Sequence, residues 1–275
     1  LLGWTTLVWG QTDTPKLTAA EEQALRSSAA PTTDTLLQVS KGEFNIHFSQ
    51  VQLSNWAAGG QSNISLLTKF DQNWNYDRGR FGWDSELHLA FGLLHRPEDR
   101  VIIKTDDRIE WSTKLGYRTT ESGFVTFMAH FRSQFAPGYA MENGIPVRDI
   151  LNSNFLAPGY GVLAGGMDYK TPKGGLALFL APITIKSTWV LDDSLSAAGA
   201  FGVEPGERSR YEMGGYLKLN FKKDFSEEIS YAVRLDLFSN FLDNPQNIDV
   251  YSDHVLLLKV NPWLSTSISA TLIYD

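Results

Sequence analysis

The sequence predicts an all-β chain: a transmembrane antiparallel up-and-down β-barrel of about twelve strands in the intact protein, the last lying beyond Asp275. Three observations lead there. Long segments alternate apolar and polar residues, short connectors alternate with long ones, and large rings gather near the short connectors. In RFGWDSELHLAFGLL (80–94), Phe81, Trp83, Leu87, Leu89, Phe91 and Leu93 are apolar, while Asp84, Glu86 and His88 lie between them. A period of two makes this a strand with opposed faces.

Composition narrows the class. The chain has 275 residues, 20% charged and 12% aromatic, with 8 Trp, 10 Tyr and 16 Phe. No apolar run reaches the roughly 20 residues that a spanning helix needs, which excludes a helical membrane protein. A formal charge of −7 and a pI near 5.3 leave no cationic excess for phosphates, so nucleic acid is not an expected partner. The absence of cysteine removes disulfides, thiolate metal sites and cysteine nucleophiles.

LLGWTTLVWG (1–10) reads as a signal-peptide remnant, with Val8 and Gly10 as the small residues before cleavage, and export as the consequence. A short apolar leader belonging to the fold is the alternative. Residues 11–42, rich in Thr, Ala, Ser and Pro, read as a flexible periplasmic leader, and 43–275 as the barrel.

The strands follow in order. EFNIHFSQVQL puts Phe44, Ile46 and Phe48 on one face and then shifts parity to Val51 and Leu53, as a bulge would. NISLLTKFDQNWNY opposes Ile64, Leu66, Phe70, Trp74 and Tyr76 to Asn63, Lys69, Asp71, Asn73 and Asn75. DDRIEWSTKLGYR and GFVTFMAHFRSQF behave alike, as do segments around 159–170, 174–191, 210–222, 227–241, 248–260 and 263–274. About eleven strands of roughly 10 to 15 residues result, longer than ordinary soluble strands. YDRGR, RTTES, TPKGG, KKDFSE and VNPW are the short turns; 94–106, 136–158 and 192–210 are the long links. Trp74, Tyr76, Phe81, Trp83, Tyr117, Tyr169, Phe221, Tyr231 and Trp263 lie near the short turns and form the expected interface aromatic belt. An odd strand count calls for one more returning strand, or for 174–191 to be two strands.

Several tracts carry a resemblance: NWAAGGQSNIS (55–65), SQF (133–135), NFLAPGYG (154–161), GGMDY (165–169), LAPITIKSTWVLDDSL (180–195), NPQNIDV and the closing LIYD. From about residue 43 onward the chain resembles an uncharacterised outer-membrane β-barrel family of Bacteroidota, a domain-of-unknown-function family. The resemblance implies an outer-membrane location in a Gram-negative bacterium and a last strand, ending in an aromatic residue, after the LIYD motif. It carries no catalytic residues.

Parity gives an inward polar network of Asp84, Glu86, His88, Arg108, Glu110, Lys114, His130, Arg132, Gln134, Lys218, Arg234 and Asp236. Such groups either pair and fill the lumen or line a watery passage. An enzyme is not expected: no G-x-S-x-G tract occurs, His47, His88 and His130 point inward, and Ser133 is off the face of His130. Asp106–Asp107 and Asp192–Asp193 read as solvated turns, and no metal or cofactor is expected. Ile145, Ile150, Leu151, Phe155 and Phe201 make the long links apolar, so these links either plug the mouth, bind a partner or pack on one another. The expected function is a narrow channel for small hydrophilic solutes. The alternative is a structural or accessory subunit of a larger outer-membrane assembly with a filled lumen. Expected partners are outer-membrane lipid, lipopolysaccharide and other outer-membrane proteins.

Overall fold

The computed structural model describes residues 37–54, 60–171, 175–261 and 264–274. Thirteen strands run through the described residues: β1 Leu37–Val51, β2 Asn63–Arg78, β3 Phe81–Arg96, β4 Val101–Arg118, β5 Gly123–Ser133, β6 Gly138–Glu142, β7 Ile145–Ser153, β8 Gly159–Lys170, β9 Leu176–Trp189, β10 Ser209–Asp224, β11 Ile229–Asn240, β12 Ile248–Asn261 and β13 Leu264–Tyr274. Eleven of them form one antiparallel sheet in the order β1-β2-β3-β4-β5-β8-β9-β10-β11-β12-β13, and β6 and β7 pair separately. One short helix, α1 (Asp193–Ala197), and a 3₁₀ turn (Ala200–Gly202) lie between β9 and β10. None of the described helices is long and apolar enough to cross a membrane.

The sheet curls. Neighbouring strands stand about 4.8 Å apart, so in a flat sheet β4 and β9 would be about 14 Å apart. Yet Lys114 Nζ on β4 lies 5.7 Å from the centre of the Phe179 ring on β9. Lys186 on β9 likewise reaches Asp249 on β12, Nζ to Oδ2 3.7 Å. Two separate contacts, each spanning three strand spacings, fix a concave face.

That face holds most of the buried groups. Met128, Ala164, Phe179, Ala181, Tyr216 and Phe238 pack together at its centre, among buried Glu110, Lys114, Asp168, Lys218, Arg234 and Asp236. The convex face is the apolar one: Met167 is 67% exposed and Ile183 63%, with Phe44, Ile46, Phe48, Phe127, Leu180 and Ile268 exposed beside them. The usual arrangement of apolar inside and polar outside is reversed. Among the described residues, β6, β7 and α1 pack at one rim and leave the convex face bare.

Several sequence expectations are corrected. β1 begins at Leu37, ahead of the boundary expected at 43, because Gln38–Gly42 are in register with Gln72–Tyr76; residues 37–42 belong to the sheet, and the rest of the leader and the signal remnant lie outside the described residues. The parity shift expected at Val51 is absent, since register continues unbroken to Val51 opposite Asn63. The long link at 94–106 contracts to Pro97–Arg100: β3 and β4 stay paired to Arg96 and Val101, with a bulge at Gly92 absorbing the mismatch. Within 136–158 the chain forms the β6–β7 hairpin, turning at Asn143 and Gly144 with positive φ at both. Residues 176–189 form one strand rather than two.

Candidate functional site

Alternation and register bring the polar side chains of the concave face into rows. Asp71, His88, Glu110, Arg132 and Tyr160 are opposite one another across β2, β3, β4, β5 and β8, and Asn75, Asp84, Lys114, Met128 and Ala164 form the parallel row. At one end His88 Nδ1 lies 2.6 Å from Asp71 Oδ1, with Glu86 Oε2 3.7 Å from its Nε2. Arg108 reaches both Asp106 (3.8 Å) and Glu110 (3.9 Å).

The centre is more tightly paired. Lys114 Nζ and Asp168 Oδ2 meet at 2.5 Å, and Thr126 on the intervening strand donates to the same oxygen at 3.3 Å. Asp236 gathers three groups: Arg234 Nε at 2.5 Å, Lys218 Nζ at 4.0 Å and the Tyr216 hydroxyl. Further along, the Tyr251 hydroxyl and the Thr271 hydroxyl both donate to Asp253, at 2.5 and 2.7 Å. Lys186 Nζ stands 3.4 Å from the centre of the Phe238 ring. Charges this deep are tolerable only when paired, as Lys114 with Asp168 and Arg234 with Asp236 are, whereas Glu110 Oε1 and Arg108 Nε are buried with no hydrogen-bond partner. Glu110 is 1% exposed and Lys114 2%, so no water film separates them from their neighbours.

Eleven of the twelve residues expected in the inward network lie in strands on this face. Gln134 instead follows β5, and its amide donates to the carbonyls of Asn154 (2.6 Å) and Ala157 (3.1 Å), tying the strand to the rim. Sequence reasoning missed Asp168, Tyr216, Lys186, Asp249, Tyr251 and Asp253. Parity with Ala164 and Gly166 places Asp168 inward; the β12 residues needed register with β11 before their face could be known.

The rings form the opposite surface. Trp74, Tyr76, Phe81, Trp83, Tyr117, Tyr169, Phe221 and Tyr231 stand on the convex face, and Trp263 lies outside the described residues. Tyr76 and Phe81 meet edge to face at 6.3 Å. Indole N–H groups here find partners within the sheet: Trp83 donates to Thr113 (2.8 Å), whose hydroxyl donates to the Asp84 carbonyl, and Trp111 donates to Ser85 (3.0 Å), whose hydroxyl donates to the Ser112 carbonyl.

The two apolar links pack on one another. Ala157, Val190, Leu195 and Val203 form a small core at the rim, joined by Leu151 and Phe201. Asp192 caps α1 through the Ser194 and Leu195 amides and binds the Asn154 side chain at 3.0 Å. The Ser194 hydroxyl first, then the Asn154 amide, hold its carboxyl below the usual range. Among the described residues no three His, Cys, Asp or Glu side chains converge as a metal site requires.

Residues 48–139 match the family model described as "Protein of unknown function (DUF3078)". The matched segment runs from the end of β1 to the start of β6 and so contains Asp84 to Arg132 of the polar face. No curated protein matches the chain.

Proposed function

We propose that this chain is an outer-membrane β-barrel protein of a Gram-negative bacterium, the Bacteroidota by the resemblance of its sequence tracts, with a filled interior. In this reading it is a structural or accessory subunit that meets lipid, lipopolysaccharide and other outer-membrane proteins through its convex face and rim. The observation that carries it is the exchange of environments: Lys114 and Asp168 are buried against each other while Met167, next to Asp168 in sequence, is exposed. A convex apolar face is stable in lipid and costly in water. Trp83 and Trp111 support the same reading, because their N–H groups are satisfied without water, as hydrocarbon demands.

β1 and β13 run in the same direction at the two edges of an eleven-strand meander, so antiparallel closure takes one more strand between them. A twelfth strand from outside the described residues completes the barrel in this proposal.

The second reading, a narrow channel for small hydrophilic solutes, draws on the less buried polar residues of β1 and β2. Glu43 and Asn75 are on the inward parity but exposed, and Asn45, on the same parity, is only half-buried. Planar-bilayer recording of the full-length protein decides between the two: a silent barrel supports the filled interior, and stable conductance steps altered by Arg132→Glu or Asp84→Lys support the channel. Fractionation tests the location, and recovery of the protein in the soluble periplasm overturns both.

A further inference from the structure

A polar cluster stands on the convex face of β11–β13. Arg234 and Asp236 point to the concave side and are opposite Asp253 and Tyr251, so Ser252 and His254 point the other way. Two residues apart on one strand, they share that face. Ser252 is flanked by Leu235 and Leu272, and His254 by Val233 and Ala270. Ser252 Oγ lies 3.0 Å from His254 Nε2. His254 Nδ1 lies 2.6 Å from the Tyr231 hydroxyl, and the two rings stack at 6.1 Å and 28°.

The other polar side chains of this face contrast with these. The hydroxyls of Thr113 and Ser85 donate to backbone carbonyls, which cannot take their protons. The Ser252 hydroxyl instead faces a ring nitrogen, with the second nitrogen fixed by a third group. Nucleophile, base and orienting partner are the elements of acyl transfer. Their neighbours Leu219, Leu235, Leu256, Ile268 and Leu272 make the surroundings suitable for an alkyl chain rather than a sugar or a peptide. Ser252 is only 6% exposed, and the low polarity around Oγ strengthens its hydrogen bond to the ring.

We propose that Ser252 and His254 are a nucleophile and base that hydrolyse acyl esters of membrane lipid, with Tyr231 as the positioning residue. The site goes beyond the barrel proposal and rests on it only for the presence of lipid at this face. Nε2 accepts the Ser252 proton as Oγ attacks the ester carbonyl carbon. The bond from that carbon to the glycerol oxygen then breaks, and the leaving alkoxide takes the proton from Nε2. Water attacks the acyl-Ser252 ester, giving a proton to Nε2 that returns to Oγ as the fatty acid departs. Tyr231 accepts a hydrogen bond from Nδ1–H, holding the tautomer in which Nε2 is free to act. Ser252 is the fifth residue of β12 from the 241–247 link, about 13 Å along the strand, so the substrate comes from the leaflet on that side.

The test uses the full chain folded in detergent micelles, with a fluorophosphonate probe and, separately, diacyl phosphatidylethanolamine in mixed micelles. Expected are probe attachment at Ser252 and fatty-acid release, both lowered about 100-fold or more in Ser252→Ala and His254→Ala. Tyr231→Phe should lower kcat several-fold per folded molecule with KM unchanged, the folded fraction being read from the heat-shifted gel band so that loss of structure is counted out. Ser252→Ala removes only a hydroxyl, and its gel mobility before and after heating shows whether the barrel has folded. A folded wild-type protein that neither takes the probe nor releases fatty acid overturns the proposal. Hydrolysis restricted to short water-soluble esters overturns the lipid substrate. Either result leaves the barrel reading to be judged by conductance and fractionation.

Discussion

Lys114 on β4 and Asp168 on β8 reach across β5 to meet at 2.5 Å, both almost fully buried. An ion pair between strands that are not neighbours joins the curl of the sheet to its charge pattern. Removing one partner leaves an uncompensated buried charge. Lys114→Met or Asp168→Asn is therefore expected to lower stability by about 3–5 kcal/mol, and the double change Lys114→Met with Asp168→Leu to recover much of it. Urea unfolding of the refolded protein reads both.

The convex face gives a second expectation. Ile183→Arg, in the middle of that face, should cost about 2–4 kcal/mol when folding is measured into lipid vesicles. If this face met water, the same change would be neutral and would improve solubility.

Two adjacent glycines make a paired test. A Cβ on Gly166 would strike the Leu180 carbonyl oxygen and the Ala181 Cα at the β8–β9 bulge, whereas a Cβ on Gly165 meets nothing within 4 Å. Gly166→Ala should abolish the fast-migrating folded band on unheated gels. Gly165→Ala should leave it intact.

At the rim, Asp192 holds α1 and the 134–158 link together. Asp192→Ala should cost about 1 kcal/mol locally and speed protease cleavage between β9 and β10. Because its carboxyl is held below the ordinary value, its stabilisation is present above an unfolded pKa of about 3.9 and is lost as pH falls through the lower folded value. Cleavage measured from pH 6 down to pH 2 should therefore rise in the wild type and stay flat in the variant.

Much of the fold is legible in alternation alone. Asp84, Glu86 and His88 come out on one face and Phe81 and Trp83 on the other because a strand of period two leaves no other choice. Where the chain turns is less legible. Pro97–Arg100 reads as part of a long polar link, but the ladder between β3 and β4 runs almost to the turn, and backbone pairing rather than side-chain pattern sets a strand's end. Partners are hidden for a different reason. Lys114 and Asp168 belong to different hairpins, so only the curl reveals that they meet. Ser252 and His254 carry a spacing that could have flagged them, but which face they occupy depends on register with Arg234 and Asp236.

Every ladder of the main sheet joins strands consecutive in the chain, save β5 with β8, which skip only the β6–β7 hairpin. Within these eleven strands none has to wait for a distant stretch of chain, so ordering entropy is lost in small steps and the sheet can advance one hairpin at a time. The unit of growth is thus two strands, and adding or deleting such a unit preserves which side of every remaining strand faces in. A lineage built this way can change the width of its sheet by duplication without redesigning a single residue elsewhere.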